Sequence, residues 1–139
     1  MLTDIALRSK RSWGYDDAFM RRIMPDMVVT PGMIETGHTL VAENEDGPCG
    51  YALIRMENAH DACLHDLFIA PDRLRSGVGR VLLQQAIGWA REQGARRITL
   101  VSDPNATGFY ERCGFALHGE VRSAQVPGRS LPRMVLDLL

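Results

Sequence analysis

Residues 71–87, PDRLRSGVGRVLLQQAI, bring together side chains suited to holding an anion. Gly77 and Gly79 stand among Arg73, Arg75 and Arg80, directly before an apolar-periodic run. The first N–H groups of a helix have no internal partner, and the helix dipole adds partial positive charge there. Glycine removes the Cβ atoms that would hold an anion off those donors, so such a start suits phosphate or pyrophosphate. The same residues also suit a plain tight turn, and the glycines alone do not separate the two. Two nucleotide readings fail on residues. A dinucleotide fingerprint needs a glycine where Leu82 stands, and a Walker loop needs a GK[ST] ending that this chain lacks.

The elements around that stretch are legible from periodicity and turn residues. Residues 4–10 read as a helix, and YDDAFMRRIM as a second, with Phe19, Met20, Ile23 and Met24 at helical spacing. Pro25 and Pro31 break the pattern and mark a loop. HTLVAENEDGPCGYALIRMENA reads as a hairpin around NEDGP, and ACLHDLFIAP as a third strand closed by Pro71. A helix from about residue 77 to 93 carries a stripe of Val78, Leu82, Ala86 and Ala90 beside Leu83 and Ile87, with Gly94 placed as its C-terminal cap. RRITLVS is a short buried strand. Asp103-Pro104 starts a short helix, PNATGFYERC, which stops at Gly114. FALHGEVRS and LPRMVLDLL are the last two strands, parted by the turn residues VPGRS. The order gives a mixed α/β domain.

Composition bounds the setting. A chain of 139 residues, 45% hydrophobic and 24% charged, suits one globular domain with a real core. A formal net charge of -1 gives no reason to expect nucleic acid or an anionic membrane as partner. Three cysteines without a CxxC pair argue against a disulfide framework and for a cytoplasmic setting. The four histidines show no metal-ligand spacing, so no metal is expected. No run of roughly 20 apolar residues is present to cross a bilayer, and the N-terminus has no signal-peptide core.

Two segments taken together are more specific. LFIAPDRLRSGVGRVLL, followed some thirty residues later by DPNATGFYERCGF, resembles the GCN5-related N-acetyltransferase (GNAT) family. The first matches its acyl-CoA motif, [QR]-x-x-G-x-[GA]; the second matches its FYExxGF-like segment, here Phe109 to Phe115. The resemblance covers residues 36–138 well and the first 35 loosely. Leu74 stands where the family has Gln or Arg. The family opens on a strand, whereas this chain opens on a helix. The expectation is a GNAT fold over residues 1–139 lacking its first edge strand, or a chain start lying upstream. An exposed terminal strand or a missing first strand would favour a homodimer.

The resemblance implies transfer of an acetyl group from acetyl-CoA to a primary amine, by direct attack in a ternary complex. The amine would belong to a small molecule or a peptide. The alternative is a non-catalytic acyl-CoA-binding sensor. Pyrophosphate would lie on the backbone of Arg75, Ser76, Gly77, Val78, Gly79 and Arg80. The pantetheine arm would run along Leu67, Phe68 and Ile69, and Asn105 joins the CoA-binding set. Tyr110 matches the family's general acid, since a phenol stays protonated at neutral pH.

The base is less determined. His65 and Asp66 are adjacent on a strand and so expected on opposite faces, and either is a candidate, with Glu43 a third. Cys113 suits core packing better than nucleophilic attack. Trp13 and Tyr15 are open between an aromatic acceptor wall and core packing, while Asp16 and Asp17 suit a helix N-terminus.

Overall fold

The computed structural model describes residues 2–73 and 76–138. Helix α1 (Leu2–Arg11) turns Leu2, Ile5, Ala6 and Ser9 inward, a spacing that keeps one face apolar. Helix α2 (Asp17–Ile23) starts where the Asp16 carboxylate accepts the Phe19 N–H at 2.8 Å. The loop expected around Pro25 and Pro31 is instead two short helical pieces. Pro25 sits in a 3-10 turn (Met24–Met27), and Pro31 opens α3 (Pro31–Thr36). Proline fits both because a first-turn residue needs no N–H partner. The Thr30 hydroxyl caps α3 by accepting the Met33 N–H at 3.2 Å.

Strands β1 (His38–Asn44) and β2 (Gly47–Met56) form the expected hairpin, and β3 (Asp61–Ile69) returns antiparallel to β2. Helix α4 (Val78–Glu92) then crosses over to β4 (Arg97–Val101), which runs parallel to β3. The expected helix after Asp103 divides into a 3-10 turn (Pro104–Ala106) and α5 (Thr107–Arg112). Strands β5 (Ala116–Arg122) and β6 (Ser130–Asp137) close the chain. The sheet order is β1-β2-β3-β4-β6-β5, so among the described residues β1 and β5 are the edges and no strand precedes α1.

Helices cover both faces. Tyr51 and Leu53 of β2 pack with Ile5, Met20 and Ile23 on the α1/α2 face. Ala52 and Ile54, the alternate residues, pack with Leu82, Leu83, Ala86 and Ala90 of α4 on the other. Each fully buried Leu, Ile or Met contributes about 1.5–3 kcal/mol by leaving water. Gly50 permits the close approach of α4: a Cβ there would meet Ile69 Cδ1 at 2.8 Å and Leu82 Cδ1 at 3.3 Å. Gly94, in the left-handed region at φ 89°, ends α4 as its position predicts. Among the described residues no helix is long and apolar enough to cross a membrane, and no group of three His, Cys, Asp or Glu side chains is placed to hold a metal ion.

Candidate active site

The ladder between β3 and β4 ends early. Asp61, Ala62 and Cys63 face Arg97, Ile98 and Thr99, and beyond them the strands diverge. Past Cys63, therefore, the β4-side edge of β3 presents backbone donors and acceptors with no strand to bond. A cleft of about 620 Å³ opens there. Its walls are β3 from Leu64 to Ile69, β4 from Leu100 onward, the start of α4, α5 and the end of α1.

One end of the cleft is the N-terminus of α4. Gly77 caps the helix at φ 89°, a left-handed backbone that costs an L-residue about 1–2 kcal/mol. Its carbonyl accepts the Val81 N–H at 3.1 Å, leaving the first-turn N–H groups of Val78, Gly79 and Arg80 without a helical carbonyl. A Cβ on Gly79 would lie 3.4 Å from Ile69 Cγ1 and 3.5 Å from Phe109 Cζ, at the cleft wall. Gly77, Gly79 and Arg80 line the cleft, while the Val78 side chain turns to the core and Ser76 is exposed at the turn. Arg75, with the atypical Leu74, lies outside the described residues.

Leu67, Phe68 and Ile69 of β3 line the cleft, as does Tyr110 of α5. The Tyr110 ring packs edge-on against Phe109 and Phe115, and its hydroxyl bonds no described side chain. Burial, reinforced by the nearby Asp66 carboxylate, pushes that hydroxyl well above the ordinary tyrosine range. It therefore carries its proton throughout the neutral and mildly alkaline range.

The base candidates depart from the expected strand geometry. Leu53 pairs with Asp66 but Ile54 pairs with Leu64, so His65 is the extra residue of a β-bulge. The bulge undoes the alternation that would have sent His65 and Asp66 to opposite faces. Instead His65 Nδ1 lies 3.1 Å from Asp66 Oδ1, and both line the cleft. The bond to Asp66 is the largest influence on His65 and raises its pKa above the ordinary value, against the opposing effect of burial. Tyr51, fully buried on β2, donates its hydroxyl to Asp66 Oδ2 at 3.0 Å. Glu43 is exposed on edge strand β1, away from the cleft, and Cys113 packs against the core.

At the far end, three distant segments meet on one carboxylate. Asp103 pairs with Lys10 of α1 and, at 3.5 Å, with Arg129 from the β5–β6 turn. The Tyr15 hydroxyl donates to Asp103 Oδ2 at 3.0 Å and accepts from Asn105 Nδ2 at 3.0 Å and Arg129 Nη2 at 2.9 Å. Burial is the largest influence on Asp103 and pushes its carboxyl up. The bonds to Lys10 and Asn105 together outweigh it, holding the carboxyl below the ordinary range. Asn105 lines the cleft, and Trp13, 42% exposed, stands at this end. Asp16 and Asp17 serve the helix: one caps α2 and the other pairs with Arg11 at 2.8 Å. Sequence reasoning missed Tyr51, Lys10 and Arg129. Their partners lie 15, 93 and 26 residues away along the chain, and no local spacing announces them.

Comparison with known proteins agrees with this geometry. Residues 3–115 match the model of the Acetyltransferase (GNAT) family. Over 101 residues the chain is 39% identical to the peptidyl-lysine N-acetyltransferase YjaB of Escherichia coli (strain K12), covering 70% of this chain and 60% of that one. It is 36% identical over 86 residues to the streptothricin acetyltransferase of Streptomyces lavendulae, covering 58% and 46%. The chain spans between 36% and 60% of the length of the curated relatives it matches. The fold is similar to that of the PaiA N-acetyltransferase from Thermoplasma acidophilum in complex with coenzyme A. The TM-score is 0.79 at 14% identity, over 98% of this chain and 90% of that one. With the family model spanning most of the chain and the fold agreeing along nearly all of it, the protein belongs to the GNAT acetyltransferase family.

Proposed function

We propose that the protein is an N-acetyltransferase that moves an acetyl group from acetyl-CoA to a primary amine by direct attack in a ternary complex. One observation carries the reading: a single cleft is lined by the glycine start of α4, the unpaired edge of β3, Tyr110 and the His65–Asp66 pair. The left-handed Gly77 and the Cβ-free Gly79 fit a pyrophosphate at the first-turn N–H groups. The free edge of β3 suits an extended amide-bearing arm, which would add to the sheet as a strand does.

Acetyl-CoA, when bound, supplies the activated thioester carbonyl. Backbone N–H groups of β3 on the cleft edge can polarise that carbonyl, at a place where no water-exposed reorganisation is needed. Tyr110 holds a proton for the departing sulfur, and the His65–Asp66 pair takes one from the amine. The acceptor enters beside Trp13, between α1 and β3, and is the amine of a small molecule or a peptide. A cytoplasmic location and a homodimer remain part of this reading.

The test has two arms. Calorimetry with CoA, ATP and NAD should show preference for CoA; preference for either nucleotide would sink the assignment. Release of free CoA from acetyl-CoA should then appear with at least one member of a broad amine panel. Binding without release across the panel would make the protein a sensor rather than an enzyme.

A further inference from the structure

We infer that Tyr51 is a positioning residue that holds Asp66 so that His65, and not Asp66, takes the proton of the incoming amine. The inference rests on the acetyltransferase reading above and goes on to say which atom does the work. Three groups stand in a row. The Tyr51 hydroxyl donates to Asp66 Oδ2 at 3.0 Å, and Asp66 Oδ1 lies 3.1 Å from His65 Nδ1. Both carboxylate oxygens are therefore engaged, and the Asp66 side chain is only 12% exposed. A carboxylate so held fixes the neutral imidazole as its Nδ1–H tautomer, because Nδ1 must donate. The lone pair is then on Nε2, which bonds no described residue, and His65 lines the cleft.

The β-bulge is what makes the row possible. Asp66 lies on the α1/α2 face with Tyr51, while His65, the inserted residue, stays beside it at the cleft. The charges that face His65 come from several elements: Asp66 on its own strand, Arg55 on β2, and Asp26 in the 3-10 turn after α2. Tyr51 on β2 completes the set through Asp66. Lys10 and Tyr110 line the same cleft from α1 and α5. Among the described residues Asp66 alone makes a hydrogen bond to the ring. In the step itself, a proton leaves the acceptor nitrogen for His65 Nε2, and the electron pair it leaves on nitrogen forms the new C–N bond at the thioester carbon. The C–S bond breaks with its pair going to sulfur, which takes the Tyr110 proton and departs as the free thiol, while the imidazolium formed lies against Asp66.

Nitrogen-resolved NMR of the free protein gives the first measurement and needs no acceptor. Wild type should show His65 as the Nδ1–H tautomer, with a pKa above that of an ordinary histidine. Tyr51→Phe keeps the buried ring but frees Asp66, so the tautomers should mix and the pKa should fall toward the ordinary value. Asp66→Asn should invert the tautomer, since an amide N–H can donate to Nδ1 and leave the proton on Nε2. An unchanged tautomer and pKa in Tyr51→Phe would overturn the inference.

Kinetics give the second measurement, with spermidine, polylysine and an amino-acid amide as acceptors. The acidic limb of kcat/KM should follow the His65 pKa in each variant. His65→Gln should lower kcat by roughly a hundredfold and Tyr51→Phe by roughly tenfold, with KM for acetyl-CoA unchanged. Wild-type turnover in His65→Gln would also overturn the inference. Absence of turnover by wild type with every acceptor counts against the acetyltransferase reading instead, and the NMR result still decides whether Tyr51 sets the His65 tautomer.

Discussion

Leu64 and Asp66, two residues apart on β3, lie on opposite faces of the sheet. Leu64 is buried in the core beneath α4, whereas Asp66 bonds Tyr51 on the α1/α2 face. A regular strand would put them on the same side. The inserted His65 reverses the phase, so a polar pair reaches the cleft while the apolar residues on either side stay in their own layers. The hydrogen-bonded pair this creates becomes an ion pair when His65 is protonated, with a consequence for stability as well as for chemistry.

The pKa of His65 is raised in the folded protein, above that of the unfolded chain. A group raised on folding contributes stability that is fully present below its unfolded value and is lost as pH rises through its folded value. The window therefore opens just above the ordinary histidine pKa. The melting-temperature difference between wild type and His65→Gln should be larger near about pH 5.5 than near about pH 8.5. Taking the difference cancels the pH response common to both proteins. A difference that is equal at the two pH values, or larger at the alkaline one, would contradict the ion pair.

Gly77 and Gly47 provide a controlled comparison for the cradle. Both have positive φ, at 89° and 109°, and a Cβ on either would meet nothing within 4 Å. Alanine at either site thus pays a backbone cost of about 1–2 kcal/mol without a steric clash. Only Gly77 heads α4, so only Gly77→Ala should tilt the first-turn N–H groups away from a bound anion. Calorimetry should show CoA binding weakened roughly tenfold in Gly77→Ala and unaltered in Gly47→Ala. Equal affinities in the two variants would place the pyrophosphate elsewhere.

The parts of this molecule legible in the sequence are those set by neighbours along the chain. The α4 stripe, the Gly94 stop, the Asp103 cap and the hairpin around residues 45–46 all depend on local periodicity or turn chemistry. Gly77, Gly79, Leu67 and Tyr110, which belong to the two motif segments, all line the one cleft described above. What escaped depends on short length, on register or on distant partners. Thr30-Pro31 carries the same kind of start signal as Asp103-Pro104, but the helix it opens is only 6 residues long, too short for an apolar period to separate it from a loop. The bulge at His65 changes no residue type, so alternation gave the wrong relation to Asp66. Tyr51 drew no reading of its own within the hairpin segment, because only the sheet register brings its hydroxyl to Asp66.

Tyr110 separates catalysis from binding. The residue lines the cleft, its hydroxyl has no described side-chain partner, and its ring packs against Phe109 and Phe115. Phenylalanine keeps the packing and removes only the proton source. Tyr110→Phe should therefore lower kcat by roughly a hundredfold while CoA affinity, read by calorimetry, stays as in wild type. Because burial holds the hydroxyl protonated, the wild-type rate should show no alkaline fall from this group below the ordinary tyrosine range. Undiminished turnover in Tyr110→Phe would remove it as the acid.

Asp103 is the point at which α1, the β4–α5 connection and the β5–β6 turn are tied together. Its side chain is 8% exposed, against 13% for Lys10 and 16% for Arg129, so all three charges are largely withdrawn from water. Asp103→Asn leaves the two cations facing one another across Tyr15 with no counter-charge. Removing one partner of such a buried set costs about 3 kcal/mol, which lowers the melting temperature of a chain this size by roughly 10 °C. The double variant Lys10→Met with Asp103→Asn should recover part of that loss, because one stranded cation is gone. The pH dependence has its own sign: a carboxyl depressed on folding stabilises above its unfolded value and ceases to do so as pH falls through its folded one. The stability gap between wild type and Asp103→Asn should accordingly close below the ordinary aspartate range. A variant that melts with wild type at neutral pH would show that Tyr15 and Asn105 hold these segments without the carboxylate.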